Sequence, residues 1–248
     1  MKSTSIDRLR EIVRPPGDWL YRDAHYLAAE MEIDVDVART WIPSSLRLAK
    51  STATIFTAWF PETSFGSVYR EAGLFLHVEH LGRPAVFSPW MVVDDDVALI
   101  SGRELLGYPK KLADLSWSLD GDRIRASASR RGAELVRMEG TVGKRIAEPP
   151  PILGRPHRNV RSTLGLAVPK IIAFTPKEEP IEVREADIEV TIGGSERDPL
   201  GDLRFGKIRS ARLHRVNLGI PGLVRGLPLP VSAVSPAWYV KQLLFRTH

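Results

Sequence analysis

Two adjacent lysines, Lys110 and Lys111, follow the turn-forming run Gly107-Tyr108-Pro109 in the stretch from Ser101 to Leu112. A neutral primary amine at such a place can add to a ketone and lose water to give an iminium. Free lysine titrates near about 10.4 and is almost wholly protonated at neutral pH, so the role requires burial or a nearby cation to disfavour the ammonium. Pro109 fixes the backbone ahead of Lys110 and biases Tyr108 toward an extended conformation, which makes the turn rigid enough to aim a side chain. Tyr108 and Leu112 are the neighbours available to desolvate one lysine. Residues at i and i+1 do not face each other on either regular element, so burial is the main influence expected at Lys110, with Lys111 a secondary field. By residue type alone, Lys110 reads as an exposed lysine at a turn, since lysines are seldom fully buried; the rigid turn and its neighbours are what argue otherwise.

The other chemistry-bearing residues have simpler readings. Glu71, in Val68-Tyr69-Arg70-Glu71-Ala72-Gly73, reads by itself as a solvated loop acid. His77 and His80 are three apart, so on a strand they point to opposite faces and cannot share one ion without a bend. Asp94-Asp95-Asp96 opens a helical pattern and is explained by capping and the helix dipole. No metal site is expected. The usual hydrolase elbow, P-loop and dinucleotide glycine motifs do not occur. With no cysteine in the chain, disulfides, thiolate catalysis and cysteine metal sites are excluded. The lysine is the one candidate left with a mechanism.

The elements that must position it are read from hydrophobic pattern and turn residues. With 248 residues, 43% of them hydrophobic, the chain is long and apolar enough to bury a full core. The net charge of +5 is carried mainly by arginine, since only nine of the 35 basic residues are lysine, and the acids are interspersed. Lacking a dense basic cluster or a reading module, the chain is not expected to bind nucleic acid. No apolar signal core begins it and no run approaches the ~20 apolar residues of a membrane span, so a soluble cytoplasmic protein without a membrane partner is expected. Residues 1–24, interrupted by Pro15-Pro16-Gly17, read as an N-terminal arm ahead of a single domain over 25–248. Strands are predicted over 25–33, 52–60, 74–81 and 85–93, the last two joined as a hairpin across Gly82-Arg83-Pro84. A meander follows over 114–119, 123–129 and 133–142, turning at Asp120-Gly121 and Gly132. Further strands are predicted over 165–174, 181–192 and 204–217, and Glu148-Pro149-Pro150-Pro151 is taken as a connection within the domain. Helices are predicted over 35–41, capped by Asp34, over 97–106, ended by Gly107 and Pro109, and over 236–245. The absence of internal repeats and of strand–helix alternation argues for an antiparallel, β-rich α+β fold.

Gly102-Arg103-Glu104 and Pro109-Lys110-Lys111-Leu112 together resemble the signature of the acetoacetate decarboxylase family. Pro43 with Leu46, Tyr69 with Glu71, and Asp198-Pro199-Leu200-Gly201-Asp202-Leu203 are further matching landmarks, and the spacing from Glu71 to Lys110 is that of the family. The activation of a lysine beside another cation is the standard illustration drawn from that enzyme. The resemblance implies an antiparallel sheet closing into a barrel or cone, with a few short peripheral helices. It implies that Lys110 is the Schiff-base lysine, Lys111 its neighbour and Glu71 the active-site glutamate. Tyr108, Phe56, Arg22 and His25 are the residues it points to for substrate binding or for tuning the lysine. Two positions depart from the pattern. An early arginine of the family falls at Ala24, beside His25 and close to Arg22, and a second glutamate falls at Phe56. Neither alanine nor phenylalanine can supply a bidentate carboxylate clamp.

What the resemblance implies for function is a cofactor-independent carboxy-lyase that decarboxylates a small β-keto acid through an iminium on Lys110. An aldolase-dehydratase condensing an oxo acid with an aldehyde through the same lysine is the alternative, and a non-catalytic protein holding an apolar carbonyl ligand is a third reading from another class. The expected partner is a small oxo acid, and the family suggests a homo-oligomer.

Overall fold

The computed structural model describes residues 19–147, 149–162, 168–220 and 229–247. The region read as an arm over 1–18, the start of the strand predicted from 165 and the first residue of the Glu148 run lie outside them.

Among the described residues fourteen strands form one sheet, and three α-helices lie around it. The central strands are β1 (Trp19–Glu32), β2 (Arg47–Phe60), β4 (Tyr69–His80) and β5 (Arg83–Val93), followed on the far side of β1 by β13 (Ile208–Ile220) and β12 (Lys177–Ile192). The short β3 (Glu62–Thr63) pairs with β1, and β6 (Lys110–Leu112) runs parallel to β5. A meander of β7 (Asp114–Asp120), β8 (Arg123–Arg130) and β9 (Ala133–Arg145) ends one side of the strand path. The other side ends with β10 (His157–Ser162), β11 (Pro169–Phe174) and β14 (Leu229–Ala233). Among the described residues no pairing joins β7 to β14, so the expected closure into a barrel or cone is not found. The sheet instead doubles over, and β7 and β8 of the meander pack across β2, with β7 also reaching β4.

Doubling buries both faces of the middle strands, which explains why they read as nearly continuous apolar runs. In β1, Leu27, Ala29 and Met31 join one core with Ile55, Leu74, Ile124 and Leu135, while Ala24, Tyr26 and Ala28 join a second with Phe56, Phe75, Met91 and Tyr108. The split follows from the two-residue period of a strand, which sends neighbours to opposite faces.

The hairpin turns use positive φ. Leu81 and Gly82 (φ 53° and 73°) close β4–β5, with Arg83 and Pro84 drawn into β5 rather than left in the turn; Gly121 (58°) with Asp122 closes β7–β8, so Asp120 ends β7 instead of entering the turn; Arg131 and Gly132 (53° and 79°) close β8–β9. Helix α1 (Val35–Trp41) begins where Asp34 accepts from the backbone N–H groups of Asp36 and Val37, and α2 (Asp96–Glu104) where Asp95 accepts from Ala98. Asp94 takes a different task, accepting from the backbone N–H and the guanidinium of Arg70. Helix α3 spans Pro236–Thr247. Four strands are additions to the reading from sequence: β3, β6, β10 and β14. Each is short and lacks flanking alternation, and each exists because a longer neighbour offers it an edge.

Three buried histidines make stability pH-dependent. Burial pushes His157 down to about 3, and burial plus nearby arginine or lysine charge pushes His77 and His214 down to about 4. On unfolding each regains an ordinary value near 6.5 and takes up a proton, so their contribution is whole above 6.5 and is lost as pH falls toward 4 and 3. At about 1.36 kcal/mol per unit per group, urea unfolding at pH 5 is expected to show a free energy a few kcal/mol below that at pH 7. Equal midpoints at the two pH values would contradict this.

Candidate active site

The backbone between α2 and β6 is tightly prescribed. Leu105 N–H bonds to the Ser101 carbonyl, Tyr108 N–H bonds to that of Gly102, and Gly107 adopts φ 68°. A Cβ at Gly107 would also lie 3.1 Å from the Val160 backbone, so glycine is required twice over. Asn159 holds the loop from β10 by donating to the Leu106 carbonyl, 3.0 Å. Pro109 then directs the chain into β6, where Met91 pairs with Lys110 and Val92 with Lys111. The lysines therefore occupy a short strand rather than the open turn that the helix-ending residues suggested.

Strand geometry separates the pair. Lys110 enters the second core and places Nζ 2.7 Å from Glu71 Oε2, with their side chains only 6% and 7% exposed. Lys111 faces the first core, where it binds Asp198 and donates to the Arg197 carbonyl at 3.1 Å. Asp198 also accepts from Trp90 Nε1 at 3.0 Å and from Arg130 at 3.1 Å. Lys111 is thus turned away from the Lys110 cavity with a carboxylate against its charge, which corrects its expected place beside the reactive amine.

Glu71 is corrected in position as well. It lies within β4, buried, rather than in an exposed loop. The cavity it shares with Lys110 is narrow, about 30 Å³, with walls formed chiefly by Tyr21, Tyr69, Phe75, Met91 and Tyr108. Lys110 and Glu71 are the only formally charged side chains among the described lining residues. Nζ lies 5.3 Å from the Tyr69 ring centroid and 5.9 Å from that of Tyr108, within the range where aromatic faces attract a cation. Burial first, then the nearby Tyr21 and Glu71, pushes both phenols well above their usual value and keeps them neutral. The Tyr108 hydroxyl meets His157 Nδ1 at 3.1 Å, which fixes the ring from behind.

Gly102 makes the lysine's channel. A Cβ there would stand 2.6 Å from Lys110 Cδ and Cε and 3.1 Å from Nζ. The family signature includes Gly102, but the reason for a glycine there is not legible locally, because the contact crosses from α2 to β6. Phe56 occupies the same transverse row of the sheet as Lys110, in the order Arg212, Ala28, Phe56, Gly73, Met91, Lys110. Its ring leans over Gly73, where a Cβ would meet it at 2.6 Å, and stacks on Phe75 with centroids 4.9 Å apart. Phe56 therefore backs the cavity wall rather than forming it. Ala24 is fully buried in the same core.

Arg22 and His25 do not join this site. The Arg22 side chain is 65% exposed and pairs with Glu62 at 2.7 Å. His25 points to the opposite face of β1 from Ala24 and Tyr26, against Trp59 and Trp117, with Asp23 at 3.4 Å. Alternation accounts for His25, which lies between Ala24 and Tyr26; Arg22 is turned out by an irregularity between Tyr21 and Ala24, where Asp23 takes φ 51° and shifts the register so that Tyr21 and Ala24 both face the cavity core.

Fold and site together define a class, a β-rich α+β protein with a lysine–carboxylate pair buried in an apolar cavity. The family model described as acetoacetate decarboxylase (ADC) matches residues 8–223, and the chain belongs to the acetoacetate decarboxylase family. It is similar to acetoacetate decarboxylase of Burkholderia multivorans, 32% identical over 111 residues that cover 44% of this chain and 45% of that protein. Acetoacetate decarboxylase 1 of Bradyrhizobium diazoefficiens is 30% identical over 114 residues, 46% of this chain and 45% of that one. The matched stretch thus spans less than half the length of these curated relatives. In fold the chain resembles acetoacetate decarboxylase from Legionella pneumophila, with a TM-score of 0.76 at 15% identity over 95% of this chain and 98% of the other. It also resembles the enduracididine biosynthesis enzyme MppR complexed with pyruvate, with a TM-score of 0.71 at 19% identity over 87% and 91%. Among the described residues no helix is long and apolar enough to cross a membrane.

Proposed function

We propose that the protein is a Schiff-base-forming lyase that decarboxylates a small β-keto acid on Lys110. The observation that carries the reading is the 2.7 Å contact between Lys110 Nζ and Glu71 inside an otherwise apolar cavity. Transfer of one proton across that contact converts ammonium and carboxylate into amine and carboxylic acid, which delivers the nucleophile. The amine adds to the ketone, and Glu71 returns the proton to the carbinolamine hydroxyl, which leaves as water and gives the iminium. The bond to the carboxylate then breaks, carbon dioxide leaves, and the electron pair moves into the iminium to form an enamine. The ionised Glu71 beside an uncharged aromatic wall favours loss of a second negative charge from the cavity. Protonation of the enamine carbon and hydrolysis release the ketone and restore the amine. No step calls for a metal or organic cofactor.

A second reading has its own support. No arginine lines the described cavity, Arg22 is turned outward to Glu62, and Phe56 stands where the family pattern has a glutamate, so the substrate carboxylate lacks a bidentate clamp. That suits an enamine used to attack an aldehyde, with later loss of water, as well as it suits decarboxylation. Incubation with acetoacetate, or with pyruvate and an aldehyde, separates the two. Carbon dioxide release from acetoacetate supports the first reading, and a new carbon–carbon product supports the second. Absence of any borohydride-trapped adduct with either acid would overturn both in favour of a binding protein.

The lysine channel offers a further check. Gly102→Ala is expected to displace Lys110 from Glu71 and slow imine formation by on the order of 10²-fold, the scale of an ångström-sized misplacement. Trapping of acetoacetate under borohydride at wild-type rate would show that the close fit of Gly102 does not matter.

A further inference from the structure

Beyond Phe56 and Phe75, the same face of the sheet carries a second, polar pocket of about 260 Å³ that the Lys110 chemistry does not use. We propose that it binds a compact dianion, a phosphate or a small dicarboxylate, through Arg212, Arg155, Lys50, His77 and His214. The inference does not depend on the reaction assigned to Lys110.

Strand register assembles the site. Glu30 pairs with Thr54 on one side and Ser210 on the other, Arg212 stands opposite Ala28 and His214 opposite Tyr26, so all of these share one face. Three cations line the pocket against one carboxylate, Glu30, which is occupied by Thr52 Oγ1 at 2.7 Å and Lys50 at 3.4 Å. Neither Arg155 nor Arg212 has a carboxylate within 4.0 Å among the described residues. Arg155 donates to the Pro151 carbonyl, and nearby Glu178 offsets part of its charge while accepting from the N–H groups of Ile152, Leu153 and Gly154. Two forked donors therefore point no charge-paired hydrogen bonds at any protein group, the condition in which a planar or tetrahedral oxyanion is bound well.

The histidines supply an independent sign. His214 is 4% exposed, and its Nδ1 is buried with no hydrogen-bond partner, an arrangement that leaves a polar atom unsatisfied. His77 Nε2 reaches only Thr54 Oγ1 at 3.3 Å and Glu30 at 4.0 Å. Besides burial, the charges that hold these rings neutral are the pocket's own cations, Lys50 and Arg155 for His77, Arg212 and Arg155 for His214. A dianion seated among them reverses that field, so the rings gain protons and become donors. Binding of the dianion is then linked to proton uptake by the rings.

Inorganic phosphate and malonate, each titrated into the full chain, are the probes, with histidine ring signals followed by NMR and sodium chloride matched for ionic strength. The expected result is a saturable shift of two ring systems with at least one probe at pH 7.5, where both probes are mainly dianions. Which probe binds more tightly assigns the anion to the phosphate or the carboxylate class. Arg212→Gln is expected to weaken binding roughly tenfold, the scale of one lost charge-assisted contact at about 1.4 kcal/mol per decade. No saturable shift with either probe, the same shift in chloride, or unchanged affinity in Arg212→Gln would overturn the proposal. The wild-type titration decides the matter should that variant fail to fold.

Discussion

Lys110→Ala is expected to lose borohydride-trapped adduct entirely and to lower turnover of an oxo acid by on the order of 10⁴-fold, roughly 5.5 kcal/mol of barrier. Among the described residues no other amine lines the cavity. Lys111, the neighbour in sequence, is on the opposite face and engaged with Asp198. Lys110→Arg is an informative companion, since guanidinium keeps a charge against Glu71 but cannot form the imine. Equal loss in both variants locates the defect in covalent chemistry. Loss in the alanine variant alone would mean that the charge, not the nucleophile, is what matters, and the imine reading would fall. The alanine variant also strands Glu71 as a buried carboxylate without its partner, so its stability should be measured alongside.

Asp198→Ala carries the largest expected loss of stability, about 3–5 kcal/mol, measured as a drop in the urea unfolding midpoint. The carboxyl is 1% exposed and is the shared acceptor for Lys111, Trp90 and Arg130. Removing it leaves a buried ammonium and an indole N–H without that acceptor, and those groups cannot reach water without moving the strands that carry them. Asp198→Asn should retain part of the effect, because the amide oxygen still accepts while the charge is gone. A shift under 1 kcal/mol in Asp198→Ala would show that the network relaxes or hydrates freely. The role also explains why the Asp198-Pro199-Leu200 segment accompanies the lysine signature. Backbone bonds from Asp198 and Leu200 hold that loop in shape, and its carboxylate locks β6 from the side opposite the cavity.

The two predictions share one piece of geometry, the three-residue strand Lys110–Leu112. It presents one lysine to each face, one paired with Glu71 and one with Asp198. A slip of one residue in its pairing with β5 would exchange the lysines between the two faces. The rigid Gly107-Tyr108-Pro109 turn before it and the Asp198 bond behind it both act against that slip.

Much of this was present in the chain before folding. The Gly107-Tyr108-Pro109 turn ahead of the lysine pair, the absence of cysteine and of competing motifs, the meander with its turns at Gly121 and Gly132, and the caps at Asp34 and Asp95 are local properties, set by φ preferences, side-chain reach and strand period over a few residues. The family signature is likewise contiguous, so its placement on Lys110 could be made from residue order alone. What only the tertiary structure decided are the properties that depend on pairing across large separations. Glu71 became a buried partner of Lys110 because β4, β5 and β6 align side by side; His25 left the site by strand alternation, and Arg22 because the register of β1 shifts at Asp23. Gly102, Asp198 and the cation cluster around His214 acquired their meaning in the same way, from neighbours tens of residues distant. Burial, register and the sign of the local field are sums over such neighbours, and no short window of sequence contains them.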